Sequence, residues 1–146
     1  MGMNAGLLLS FPIAFVAVFR FPASFTLTAF FLGCALLIGG SLLRRHCWRV
    51  LGQHFTGDVR AQSDQPVIDR GAYRWVRHPS YTGGILMFCG IGVALANWAS
   101  LAILMLTSVA VYTYRIAVEE KALLDAIGEP YAAYMRTRKR FLPWIL

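Results

Sequence analysis

Charge is scarce in this chain. Only 14% of its 146 residues are Asp, Glu, Lys or Arg, where an average soluble domain carries about 25%. Acids are scarcer still, seven in all. An ordinary soluble domain does not fit such a composition. Cysteine is equally thin. Cys34 and Cys89 sit inside apolar runs, Cys47 lies beside an arginine-rich stretch, and no pair has CxxC spacing. That excludes a disulfide framework and a dithiol redox motif, and leaves small packing residues. There is no GxGxxG fingerprint, no P-loop and no GxSxG elbow, so the usual nucleotide cradles and the hydrolase nucleophile are absent. His46 and His54 have no carboxylate or thiolate pair at ligand spacing, and no metal site is expected. No repeat or low-complexity tract interrupts the chain.

What the chain does have is apolar residues, 58% of the total, arranged in blocks. Four runs stand out, at about 4–19, 24–43, 81–96 and 99–117. Several fall slightly short of the ~20 residues of a straight membrane span, and Arg20, Trp98 and Tyr114 can extend them at the interface. Short connections join runs one to two and three to four, which makes two helical hairpins. Run one resembles a signal-peptide core, but it lacks a basic leader and a convincing small-x-small site, so it is read as a span. The expected fold is therefore all-α and integral to the membrane, with about four transmembrane helices in one domain over 1–146. A loop at 44–80 and a tail at 118–146, including a C-terminal helix from Tyr131 to Lys139 with Pro130 fitting its first turn, complete it.

The net charge of +7 raises nucleic acid as a partner, but its distribution argues against that. Seven of the 14 basic residues lie between Arg44 and Arg77 and five between Lys121 and Arg140. Basic blocks alternating with uncharged apolar runs are the signature of the positive-inside rule. Loop, tail and both termini are expected at the cytoplasmic face, in the inner membrane of a prokaryote.

Two constellations carry chemistry. The first is Arg74, Arg77, His78, Pro79, Tyr81 and Gly83 at the mouth of run three. Pro79 fixes its own φ and biases His78 away from helix, so the loop is stiff where His78 turns inward. Gly83 and Gly84 allow the backbone close to another group. A plain interfacial anchor also uses Arg, Tyr and Trp, and it remains a good reading for Arg74 and Trp75. The second constellation is Glu119-Glu120 at the end of run four. Adjacent helical residues point about 100° apart, so two acids there cannot both face one bulk phase easily. At least one is expected to meet a ligand or the Arg-His loop. Gly39-Gly40 in run two reads first as helix packing.

Arg77-His78-Pro79-Ser80-Tyr81-Thr82-Gly83, an apolar hairpin and then Glu119-Glu120 resembles the Arg-His-Pro-x-Tyr-x-Gly…Glu-Glu signature of the isoprenylcysteine carboxyl methyltransferase and phospholipid methyltransferase group. The lead-in from Gly71 and the tail with Gly128-Glu129-Pro130-Tyr131, Tyr134 and Arg140-Phe141-Leu142-Pro143 are similar to that group as well. The likeness runs from about Gly39 to Pro143. It implies an integral-membrane enzyme with S-adenosylmethionine as cofactor, bound by the cytoplasmic loop and tail. His78, Pro79, Tyr81, Gly83, Glu119, Glu120, Tyr131 and Tyr134 would bind the cofactor. Gly40 falls near a cofactor-linked glycine pair of the group, although Gly39-Gly40 departs from its Gly-x-Gly form.

The same resemblance implies methyl transfer to a lipophilic acceptor, an isoprenylcysteine-like carboxylate or another small lipophilic molecule. Arg74 and Arg77 would orient a carboxylate. An amine acceptor, as in a phospholipid N-methyltransferase, would call on Glu119 or His78 as base. Only two spans precede the motif, which favours a small lipophile or lipid over a protein substrate. Two rivals come from other classes. Sterol-type membrane reductases using NADPH share Arg-His-Pro-x-Tyr, but usually have Asn where Ser80 stands here. A non-catalytic membrane assembly protein could retain a degenerate motif.

Overall fold

The computed structural model describes residues 20–52 and 66–141. Four α-helices make up most of it: α1 Thr26–Leu51, α2 Pro79–Ala94, α3 Trp98–Ile127 and α4 Glu129–Thr137. Two 3-10 turns, Ala23–Phe25 and Gly71–Arg74, precede α1 and α2. Among the described residues β-pairing is limited to two isolated bridges. The run at 4–19, the loop residues 53–65 with His54, and residues 142–146 lie outside the described residues.

Among the described residues two stretches are long and apolar enough to cross a membrane, Ala23–Leu51 and Trp98–Ile127. At ~1.5 Å per residue the 26 residues of α1 and the 30 of α3 exceed a ~30 Å hydrocarbon core. α2 has 16 residues, about 24 Å by the same rise, and is the short element. The expected run at 24–43 thus extends as one helix through the arginine-rich stretch and stops at Gly52, whose φ of 55° favours glycine. The run at 99–117 likewise continues through Glu119 and Glu120 to Gly128, with φ 72°. Pro130 sits in the first turn of α4, where a missing N–H costs nothing.

The chain forms two compact units. The first comprises Met1–Leu42 and Gly83–Thr113. Here α1 meets α2 through glycine. A Cβ on Gly33 would lie 2.5 Å from the Gly90 carbonyl, and one on Gly90 2.7 Å from the Gly33 carbonyl. Gly40 repeats the device one step along, with 2.5 Å to the Gly83 carbonyl. Such backbone-to-backbone approach is how helices pack where no water drives them together. Outward, Phe25, Leu27, Phe31, Leu32, Ile38 and Leu42 are all more than half exposed, an apolar surface that suits lipid rather than water. Asn97 caps α3, its Oδ1 accepting from the Ala99 and Ser100 amides at 3.0 and 3.1 Å.

The second unit comprises Leu43–Thr82 and Tyr114–Leu146. Gly71, φ 60°, brings the chain against α1, where a Cβ would lie 2.8 Å from His46 Nε2. Arg70 donates to the Val50 carbonyl at 3.2 Å. After α4 the tail returns to the residues before α2. The amides of Arg77 and His78 donate to the carbonyls of Lys139 and Arg140 at 2.8 and 3.1 Å.

Candidate active site

Pro79 opens α2 and is fully buried, which holds His78 just outside the first turn and 5% exposed. α3 carries the two acids past the apolar run into the second unit. The structure brings these together around Glu120, which is 3% exposed. Its Oε1 lies 3.2 Å from His78 Nε2 and 3.1 Å from an Arg77 guanidinium nitrogen. Its Oε2 accepts from Arg140 Nε at 3.1 Å and a terminal nitrogen at 2.8 Å, two charge-assisted bonds converging on one oxygen. An ionised carboxylate only accepts, so His78 Nε2 is the donor in this contact.

Arg77 is held twice more. One terminal nitrogen donates to the Met135 carbonyl at 2.8 Å, and its backbone joins the tail. Its side chain is 9% exposed. Among the described residues its Nε–H has no acceptor. A buried guanidinium donor left without a partner is costly, and it is the kind of group a ligand satisfies.

Glu119, about 100° around the helix from Glu120, faces a different partner. Tyr81 donates its hydroxyl to Glu119 Oε2 at 2.6 Å. The Tyr81 ring lies 5.8 Å from His78, nearly parallel at 28°, and 5.9 Å from the Arg115 guanidinium. Tyr131 and Tyr134 are both buried on α4, ring centroids 6.0 Å apart. Tyr134 donates to the Tyr73 carbonyl at 2.6 Å. Burial, with Asp69 nearby, pushes the Tyr134 phenol up to about 12, and burial raises Tyr131 and Tyr73 as well. All three remain neutral at physiological pH, so each keeps its hydroxyl hydrogen.

Arg77, His78, Pro79, Tyr81, Glu119, Glu120, Tyr131 and Tyr134 therefore share the second unit. Arg74 is in that unit but exposed, its guanidinium 5.5 Å from the Trp75 ring. It does not join the Glu120 network, as an interfacial anchor would not. Gly40 and Gly83 belong to the first unit, where they meet each other as packing residues. Tyr73 and the Met135 carbonyl are members that no motif announced. Tyr73 stands in the lead-in and Met135 is a backbone acceptor, which carries no residue-type signal at all.

Residues 28–129 match the family model described as phospholipid methyltransferase. The chain belongs to the phospholipid methyltransferase family. It is 33% identical over 116 residues to the protein-S-isoprenylcysteine O-methyltransferase of Saccharomyces cerevisiae, covering 78% of this chain and 48% of that one. The enzyme of the same name from Dictyostelium discoideum is 27% identical over 97% of this chain and 61% of its own. A solved structure of a eukaryotic intramembrane Ras methyltransferase, isoprenylcysteine carboxyl methyltransferase, superposes with a TM-score of 0.76 at 26% identity. It covers 97% of this chain and 52% of the other. The chain spans about half the length of these relatives. With that likeness the all-helical fold is that of an integral membrane protein.

Proposed function

We propose that this protein transfers a methyl group from S-adenosylmethionine to a lipophilic acceptor at the cytoplasmic membrane face. The observation that carries the reading is the buried Arg77-His78-Glu120 network beside the Tyr81–Glu119 pair in a phospholipid methyltransferase family chain. The family match over residues 28–129 argues against a sterol-type reductase.

The residues present fit the proposed donor. It carries a carboxylate, an ammonium, a sulfonium and a flat adenine. Arg77 has a buried Nε–H in need of an acceptor, Glu119 has a second carboxylate oxygen beyond the one Tyr81 holds, and Tyr131 and Tyr134 offer buried aromatic faces. S-adenosylmethionine supplies an electrophilic methyl for in-line displacement, so holding the reactants in line accounts for much of the acceleration. Arg77, fixed at Met135 and Glu120, presents its buried Nε–H in a set direction. Tyr81 orients Glu119, and the tail excludes water from His78. A carboxylate acceptor is ionised at neutral pH, and no side chain has to remove its proton.

An isoprenylcysteine-like carboxylate is the favoured acceptor class, since the relatives named above are isoprenylcysteine O-methyltransferases. A phospholipid amine is the second reading, with Glu119 as proton acceptor. Purified protein given labelled S-adenosylmethionine with a prenylated cysteine analogue or with phosphatidylethanolamine tests both. Base-labile labelled ester in the first mixture is the expected result. Label confined to the lipid amine would replace the acceptor assignment. Protein that shows no affinity for S-adenosylmethionine in detergent would end the proposal.

A further inference from the structure

Glu120 spends both carboxylate oxygens inside the protein. The partners come from two segments, Arg77-His78 more than 40 positions earlier and Arg140 20 positions later. These are the two segments whose backbones pair, with Val76 bridged in parallel to Lys139. Thr82 adds a hydroxyl bond to the Phe141 carbonyl at 2.9 Å. A pairing this short has little stability of its own. The carboxylate ties its side chains together where, among the described residues, the two backbones share two hydrogen bonds.

A carboxylate has about four lone-pair sites, and four nitrogen atoms of the chain already approach Glu120. A ligand amine would have to displace a guanidinium or imidazole N–H from a buried site and leave it unpaired, which is strongly unfavourable. At Glu119 the Tyr81 hydroxyl approaches one oxygen, Oε2.

We infer that Glu120 is a positioning residue rather than a ligand contact: it latches the tail segment at residues 139–141 onto Arg77-His78. Of the paired acids, Glu119 is then the one that meets the ligand. The methyl-donor part of this rests on the proposed function, whereas the latch itself does not.

Hydrogen exchange in the free protein tests the latch. The Arg77 and His78 amides donate to tail carbonyls, so peptides covering 73–78 report its opening. Glu120→Gln and Arg140→Ala should each speed their exchange by about tenfold or more, the double variant should add little, and Arg140→Lys should recover part of the protection. Calorimetry with S-adenosylmethionine should show the same pattern, with both single variants weakened by a similar factor and non-additive in combination. Glu119→Gln should weaken binding while leaving that exchange unchanged. Two results would overturn the latch: near wild-type exchange in Glu120→Gln, or Arg140→Ala binding like wild type while Glu120→Gln does not bind. Wild-type protein without affinity for the donor would remove the functional reading, and the exchange data would still decide the latch.

Discussion

At the scale of single residues, adjacent acids meet separate partners because a helix turns. Glu119 and Glu120 differ by one position, yet one meets Tyr81 and the other the Arg77-His78-Arg140 cluster. Tyr81→Phe removes one hydrogen bond to a charged acceptor, worth about 1.5–3 kcal/mol. If Glu119 needs that bond for its orientation, S-adenosylmethionine affinity should fall by about tenfold or more, read by calorimetry. Tyr134 supplies a pH prediction. Its phenol is raised by burial to about 12 from an ordinary 10. A group raised in the folded state contributes its full stability below the unfolded value and loses it as pH climbs to the folded one. Stability should therefore decline between about pH 10 and 12, and Tyr134→Phe should flatten the part of that decline due to this group. Alkaline unfolding followed by circular dichroism checks it.

At the scale of elements, glycine decides how α1 and α2 meet. Gly33→Ala would force a Cβ against the Gly90 carbonyl at 2.5 Å, and overpacking of that kind costs about 1–3 kcal/mol. Thermal unfolding in detergent should show a lowered midpoint. Gly39 is the internal control, since nothing lies within 4 Å of a Cβ there. Gly39→Ala should leave the midpoint level or raise it, because alanine favours helix over glycine by about 0.5–1 kcal/mol. Both glycines look alike in the sequence, and only the neighbouring helix separates them. The α3 start belongs to the same scale. Asn97→Ala strips two amides of their acceptor and should cost about 0.5–2 kcal/mol in the same assay.

At the scale of the whole molecule, every basic residue except Arg20 among the described residues lies in the second unit, and six large apolar side chains of α1 are exposed in the first. The protein should stay with membranes after an alkaline carbonate wash and require detergent for release. Single cysteines at exposed Lys121 and Arg136 should react with an impermeant thiol reagent only from the cytoplasmic side. Reaction from the opposite side would reverse the orientation. The helices after residue 23 were legible in the sequence because apolar blocks, Gly52, Gly128 and Pro130 are local signals of where a helix runs and stops. The membership of the site was legible in part, since Arg-His-Pro-x-Tyr and Glu-Glu are residue types at fixed spacing. Three things were decided by tertiary structure alone. Arg74 stays outside the network while Arg77 enters it, Gly40 packs where Gly39 is open, and Arg140 closes on Glu120 from the tail. Each depends on which atoms of a distant segment come within about 3 Å, and hydrogen bonding and steric exclusion act only at that range. Local pattern therefore determined the elements and the chemical inventory, and long-range packing determined which acid meets Arg77, His78 and Arg140 and which meets Tyr81.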